Sequence, residues 1–174
     1  MRLLKVSQIS KKVKWCLNKA KRELEETGIH RGLVEGEPDI SLAEKHITKA
    51  EHNLNAAFYF ERGGYGDWSM SAFFYCLYHC LLAISKKFGY ESRNQECTLA
   101  LIELLKEEGK INIDSKFIDT LKITKSKETD HSVIRMREDF QYGVELDFEK
   151  KDEFNELVEL CRELINTTKE IIHS

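Results

Sequence analysis

The sequence predicts an all-α protein, folded as an up-and-down helical bundle with an extra helix at its N-terminus. Apolar residues recur at every third or fourth position over long stretches, which is the period of an amphipathic helix. Proline occurs once in 174 residues, at Pro38, and glycines lie mostly between the periodic segments. No segment is convincing as a strand, so we expect helices alone, in a single domain over residues 1–174.

The first 40 residues divide into a helix and a linker. Within residues 1–30, apolar positions at helical spacing predict an amphipathic helix that ends at Gly28. These positions are Ile9, Val13, Cys16, Leu17, Ala20 and Leu24. Residues 31–40 hold two glycines and the only proline, which indicates a linker, and the bundle itself is expected over residues 41–172.

The second and third helices are the longest predicted pair. Ser41 and Glu44 have the spacing of a capping box, so the second helix should begin there, and it should end at Gly63. Asp67 is expected to cap the third helix, Trp68–Phe88. That helix is apolar on three faces, so we expect it at the centre of the bundle or partly within a subunit interface, and we predict a dimer.

Shorter helices are expected after Gly89. Ser92 and Gln95 can start a fourth helix that ends at Gly109, and Asp114 is placed to cap a fifth. A polar loop is predicted at 124–130 and two further helices at 133–142 and about 149–172.

Charge is unevenly distributed, although the net charge is only −3. Residues 1–22 hold eight bases and no acid, and residues 145–174 hold nine acids against four bases. One interpretation is a pair of solvated helix faces that can attract each other. The other is a basic arm for nucleic acid or an acidic partner. We favour the first, because the chain as a whole is not basic.

No apolar run approaches the length that spans a bilayer, and the basic N-terminal segment has no signal-peptide core. The sequence therefore predicts a cytoplasmic protein without a membrane partner. Five cysteines are an odd number, without disulfide-like spacing. We expect them to be reduced, buried thiols.

A metal site at Cys76, His79 and Cys80 is one interpretation of the third helix. His79 points about a quarter-turn away from the face that the two cysteines share. Zinc would need ligands from a second element, for which Cys97 is the obvious cysteine. Small thiols that pack a crowded helix are the favoured explanation, so we expect no metal and no cofactor.

Two polar segments are candidate binding sites. In the first, Arg93, Asn94 and Glu96 surround the start of a helix. Its amides and Arg93 can bind an anion there, or the segment can simply cap the helix, and the two interpretations have equal weight.

The second candidate segment, 135–142, contains Arg135, Arg137, Asp139 and Tyr142. Arg135 and Asp139 have i,i+4 spacing, and Arg137 lies near Tyr142, five residues further on. A ligand site and a surface salt-bridge ladder are both consistent with this pattern, and the ladder is at least as well supported.

Two segments of the chain carry the pattern of a known family of helical domains. The chain reads KAEHNLNAAFYFERGGYGDWSMSAFFYCLYHCLLAISKKFGY over residues 49–90 and RMREDFQYG over residues 135–143. The first segment combines a helix of A-x-x-x-L-x-x-A spacing, a glycine-bearing turn and a helix rich in Tyr, Phe, Ala and His. The second holds two arginines at the place of that family's arginine motif. In these features the chain resembles the HEPN family of prokaryotic helical domains. The similarity spans roughly residues 39–145 and leaves the first helix outside.

The resemblance implies a helical bundle that often forms homodimers. Many members of the family are encoded beside a minimal nucleotidyltransferase as toxin–antitoxin pairs, which makes such an enzyme a candidate partner here. Active members are metal-independent ribonucleases, whose signature is an arginine followed by four to six residues and a histidine. Two such motifs meet across the dimer, where they polarise the ribose 2′-hydroxyl and stabilise the phosphorane.

The chain departs from that signature. Five to seven positions after Arg137 stand Tyr142, Gly143 and Val144, and the same positions after Arg135 and Arg93 also lack histidine. Acid–base cleavage of RNA needs a group that exchanges a proton near neutral pH, and a phenol is a poor substitute for an imidazole.

Three hypotheses follow for the function. The favoured one is a non-catalytic module that binds a nucleotide, an RNA or a protein partner, in a toxin–antitoxin or defence setting. The second is a ribonuclease with a degenerate site at Arg93, Arg137, Asp139 and Tyr142. The third is a scaffold subunit. His79 can in principle supply an imidazole, but a hydrogen-bonded core histidine is the favoured explanation for it.

Overall fold

The computed structural model describes residues 7–122, 132–149 and 151–174, and it confirms the all-α class. Within those ranges it contains seven helices and one small sheet. The helices are α1 (Gln8–Thr27), α2 (Ile40–Arg62), α3 (Gly66–Lys87), α4 (Gln95–Glu107), α5 (Ser115–Thr120), α6 (Val133–Tyr142) and α7 (Lys151–His173). The strands are β1 (Leu33–Glu35) and β2 (Tyr90–Ser92). The loop predicted at 124–130 lies outside the described residues.

Helix α3 is the centre of the bundle, as its apolar composition predicts. It packs against α2, α4, α6 and α7. Among the described residues, α3 alone is long and apolar enough to pass as a membrane span, yet 67% of its most apolar window is buried in the bundle. Three large side chains of α3, Met70, Phe73 and Ile84, are fully buried. The helix therefore has the burial of a core element.

The expectation of helices alone is wrong at one place, because β1 pairs with β2 in antiparallel register. Leu33 lies opposite Ser92, and Glu35 lies opposite Tyr90. Each strand is three residues long, too short for alternation to stand out in the sequence. The predicted linker thus contains a strand that ties the N-terminal segment to the turn after α3.

A close backbone approach extends this pairing. The amide of Gly36 donates to the carbonyl oxygen of Gly89 at 2.6 Å, directly beyond the last strand pair. Gly89 has a φ of +84°, and a Cβ there would lie 2.4 Å from the carbonyl oxygen of Gly36. Glycine is needed at position 89 for both reasons.

Three helix starts differ from the predicted ones, and at α2 and α4 a better-placed side chain takes the cap. Asp39, not Ser41, accepts the amide of Leu42 at 2.8 Å and begins α2. Asn94 likewise caps α4 in place of Ser92, which belongs to β2. Asp67 lies inside the first turn of α3 and does not cap it. Asp114 caps α5 as predicted, by accepting the amide of Lys116.

Helix α1 is attached to the bundle by a disulfide bond that the sequence did not predict. Cys16 on α1 and Cys97 on α4 are bonded, with Cα atoms 5.9 Å apart, and both are fully buried. The expectation of five reduced thiols is therefore wrong for these two. The pair is 81 residues apart in the chain, and only the packing of α1 on α4 brings it together.

Candidate functional site

A groove between α3 and α6 brings exposed aromatic rings next to an arginine. Its cavity has a volume of about 240 Å³. The spacing of its lining residues places them on one face of each helix, at i, i+3 or i+4, and i+7. They are Asp67, Trp68, Ser71 and Tyr75 from α3 and Arg137, Phe140 and Gln141 from α6.

The aromatic side of the groove is open. Trp68 is 60% exposed and Tyr75 is 48% exposed, although they belong to the central helix of the bundle. Large aromatic side chains that remain exposed on a core helix commonly mark a contact surface for a ligand or a partner.

Arg137 is held at the edge of the groove by a ring contact. The centre of its guanidinium lies 4.1 Å from the ring centroid of Phe74, a cation–π contact. Its Nε is buried and has no hydrogen-bond partner among the described residues. Arg137 lines the groove, and a guanidinium is the group that proteins commonly use to bind phosphate or carboxylate.

The neighbouring candidates on α6 are arranged differently. The Nε of Arg135 lies 3.3 Å from an oxygen of Asp139, and both side chains are largely exposed. This is the predicted i,i+4 surface pair, whose contribution is small. Tyr142 is 79% exposed at the end of α6. Of the four candidates in this segment, Arg137 alone lines the groove.

The candidates at the start of α4 are engaged with other side chains. Arg93 donates from Nε to Glu91 at 3.2 Å, and Glu96 pairs with Lys12 of α1 at 3.1 Å. Asn94 accepts the amide of Cys97 at 3.0 Å, which is the capping interaction. Of the two interpretations of this segment, the structure thus shows the helix-capping one, made by Asn94.

These groups line separate cavities. Asn94 and Glu96 border one of about 370 Å³ between α1 and α4. Arg93 borders another, of about 240 Å³, together with His46. Among the described residues of one protomer, neither cavity includes Arg137. The degenerate ribonuclease site predicted from Arg93, Arg137, Asp139 and Tyr142 is therefore not assembled in one cavity.

His79 is hydrogen-bonded, but to a second histidine. The Nδ1 atoms of His79 and His46 are 3.0 Å apart, so the N–H of one neutral ring donates to the lone pair of the other. Burial, then the proximity of His46 and Lys49, lowers the pKa of His79 to about 4. Burial and Lys86 lower the pKa of His46 as well. The pair is therefore neutral at pH 7.

We expect the His79 ring to titrate at about pH 4, below the ordinary value of 6.5. The unfolded chain binds this proton more readily than the folded protein does. The stabilising contribution of the neutral ring is therefore complete above pH 6.5, and the free energy of unfolding falls as the pH is lowered towards 4. A ring-resonance NMR titration measures the pKa. In the His79→Gln protein, the free energy of unfolding should fall less steeply than in the wild type between pH 6.5 and pH 4. An equally steep fall would contradict the lowered pKa of His79.

The cysteines of α3 have the chemistry of packed thiols. Cys76 and Cys80 are fully buried. A hydrogen bond with Cys161 raises the pKa of Cys76, and burial raises that of Cys80. Cys97, the cysteine suggested as a ligand from a second element, is bonded to Cys16. Within the described ranges, no group of three or more His, Cys, Asp or Glu side chains is placed to hold a metal ion.

Comparison with known families agrees with the architecture. The model of the HEPN domain matches residues 43–172, from the first turn of α2 to the end of α7. The chain therefore belongs to the HEPN family, a class of helical domain generally related to nucleotides or RNA. No curated protein matches the chain. Helix α1 and strand β1 precede the matched region.

Proposed function

We propose that the protein is a non-catalytic HEPN module that binds a nucleotide, free or within single-stranded RNA, in the α3–α6 groove. The observation that carries this proposal is that Arg137 and the exposed ring of Trp68 line the same groove. A guanidinium binds phosphate through paired hydrogen bonds, and a nucleobase stacks on an aromatic ring. The groove holds both groups.

Each side chain has a part in this binding. Arg137 binds the phosphate, and its contact with Phe74 fixes the orientation of the guanidinium. A base stacks on the ring of Trp68 or Tyr75, and each stacked base contributes about 1–3 kcal/mol to the binding free energy. The carboxylate of Asp67, at the same rim, accepts hydrogen bonds from ribose hydroxyls.

The absence of catalysis rests on the residues after Arg137. The positions that carry histidine in ribonuclease members of the family hold Tyr142, Gly143 and Val144. The neutral imidazoles of His46 and His79 are bonded to each other and do not line the groove. A homodimer, a nucleotidyltransferase partner and a toxin–antitoxin setting stay predictions of the family resemblance.

The chain has two tryptophans, so Trp15→Phe leaves Trp68 as the sole tryptophan reporter of the groove. Titration of this protein with ATP and, separately, with an eight-residue uridine RNA should quench the Trp68 fluorescence saturably. Adding Arg137→Ala should weaken binding about tenfold, which corresponds to about 1.4 kcal/mol. The two probes distinguish a free nucleotide from a strand.

Arg162→Ala is the matched control. Like Arg137, Arg162 lies near an aromatic ring, but it is exposed and pairs with Glu159 on α7, away from the groove. We expect it to leave the affinity unchanged. Equal affinity of the Arg137→Ala protein, or no quenching by either probe, would refute the proposal. Cleavage of the RNA in EDTA that Arg137→Ala abolishes would favour the ribonuclease hypothesis.

A further inference from the structure

Helix α1 carries a basic face that the bundle leaves free. Lys11, Lys14, Lys21 and Arg22 are all exposed. Their spacing places them along one side of the helix, over about 16 Å at about 1.5 Å per residue. None has an ion pair among the residues that the structure describes. Lys12 and Lys19, by contrast, pair with Glu96 and Glu23.

An aromatic ring lies in the middle of this basic face. Trp15 is 49% exposed, although tryptophan side chains are highly buried on average. The Nζ atoms of Lys12 and Lys19 lie 4.7 and 5.7 Å from its ring centroid. The face therefore combines several cations with one exposed aromatic ring.

The opposite side of α1 packs against the rest of the fold. Val13, Cys16 and Ala20 are buried against the bundle, and Cys16 is bonded to Cys97 on α4. An amphipathic helix that binds a membrane must place its apolar side in the lipid. Since that side of α1 is fixed to the protein, the basic face is presented to an aqueous partner.

We propose that the basic face of α1 binds the phosphate backbone of a single-stranded nucleic acid, with Trp15 stacking on an unpaired base. Rows of lysine and arginine bind phosphates without reading sequence, and an interleaved aromatic ring is typical of surfaces for single strands. An acidic protein surface would satisfy the cations, whereas a single strand supplies phosphates for the cations and unpaired bases for the ring together. The proposal does not depend on the α3–α6 groove, and α1 lies outside the matched HEPN region.

The test uses the full chain with Trp68→Phe, in which Trp15 is the sole tryptophan. Twelve-residue uridine RNA and thymidine DNA are titrated over a series of salt concentrations. Each strand should quench the Trp15 fluorescence. A second protein adds Lys11→Gln, Lys14→Gln, Lys21→Gln and Arg22→Gln. Its affinity at low salt should fall at least tenfold, and the salt slope should shrink by about 0.7 for each phosphate that is no longer neutralised, or about 2.8 for all four cations.

The control removes four charges elsewhere, through Lys45→Gln, Arg62→Gln, Lys110→Gln and Lys151→Gln, all at exposed positions. It should keep both the affinity and the slope. A decrease equal to that of the α1 variant would show a net-charge effect and overturn the proposal. The proposal would also be overturned if the strands left the Trp15 fluorescence unquenched or if the binding constant did not depend on salt. Binding to phosphatidylserine vesicles or to polyglutamate as tight as binding to the strands would overturn it as well. Quenching of Trp15 and quenching of Trp68 report the two proposed sites separately.

Discussion

Replacing Phe73 by alanine is expected to lower the free energy of unfolding by about 3–5 kcal/mol. Phe73 is fully buried in α3, where its ring meets that of Phe154 from α7 edge to face, with centroids 5.1 Å apart. The substitution removes this apolar contact and leaves a cavity. The walls of this cavity belong to different helices, which cannot all move inward to fill it. The lost packing energy is therefore not regained by relaxation of the fold.

Urea denaturation followed by circular dichroism measures this destabilisation. Tyr59→Ala supplies the matched control, because Tyr59 is an aromatic residue of α2 that is 74% exposed. Its removal should change the free energy of unfolding by no more than about 0.5 kcal/mol. A cost below about 1.5 kcal/mol for Phe73→Ala would show that α3 and α7 do not pack as described.

Removing the disulfide bond, by Cys16→Ala with Cys97→Ala, is expected to destabilise the protein by about 2–4 kcal/mol. The bond closes a loop across a separation of 81 residues, so it restricts the unfolded chain strongly. Both side chains are fully buried in the native state. The unfolded variant therefore gains conformational freedom that the oxidised wild type lacks.

Two measurements check this result. Thiol titration of the unreduced, denatured wild type should find three free thiols, those of Cys76, Cys80 and Cys161. A reductant should lower the stability of the wild type towards that of the double variant and leave the double variant unaffected. Five reactive thiols in the unreduced protein would mean that the bond does not form.

The periodicity of apolar residues predicted the long helices well, because helix burial repeats locally along the chain. The failures occurred where the structure depends on residues far apart. Strand β1 exists because Leu33 reaches Ser92, and Cys16 finds Cys97 because α1 packs on α4. Neither neighbour can be found from the local sequence. Helix starts failed for another reason, since several capping residues compete over a few positions and the local backbone selects one.

The candidate groove was predicted in part. Arg137 was a candidate from the arginine-rich segment, but the sequence did not distinguish its guanidinium, which lies over the ring of Phe74, from that of Arg135, which pairs with Asp139. The third helix was predicted as a whole to lie at the centre of the bundle or partly in a subunit interface, without separating out Trp68 and Tyr75, which are both exposed. Their polar tips distinguish tryptophan and tyrosine from leucine or phenylalanine, and that difference was the available signal.

The pairing of β1 with β2 has a consequence for where the protein can be divided. The family match begins at residue 43, yet Leu33 is fully buried ahead of it, and the backbone of Gly36 is bonded to Gly89. Together with the Cys16–Cys97 bond, these contacts make the upstream segment an integral part of the fold. A fragment trimmed to the family limits would lose half of its sheet and uncover α4. The unit that is inherited as a domain is thus shorter than the unit that folds.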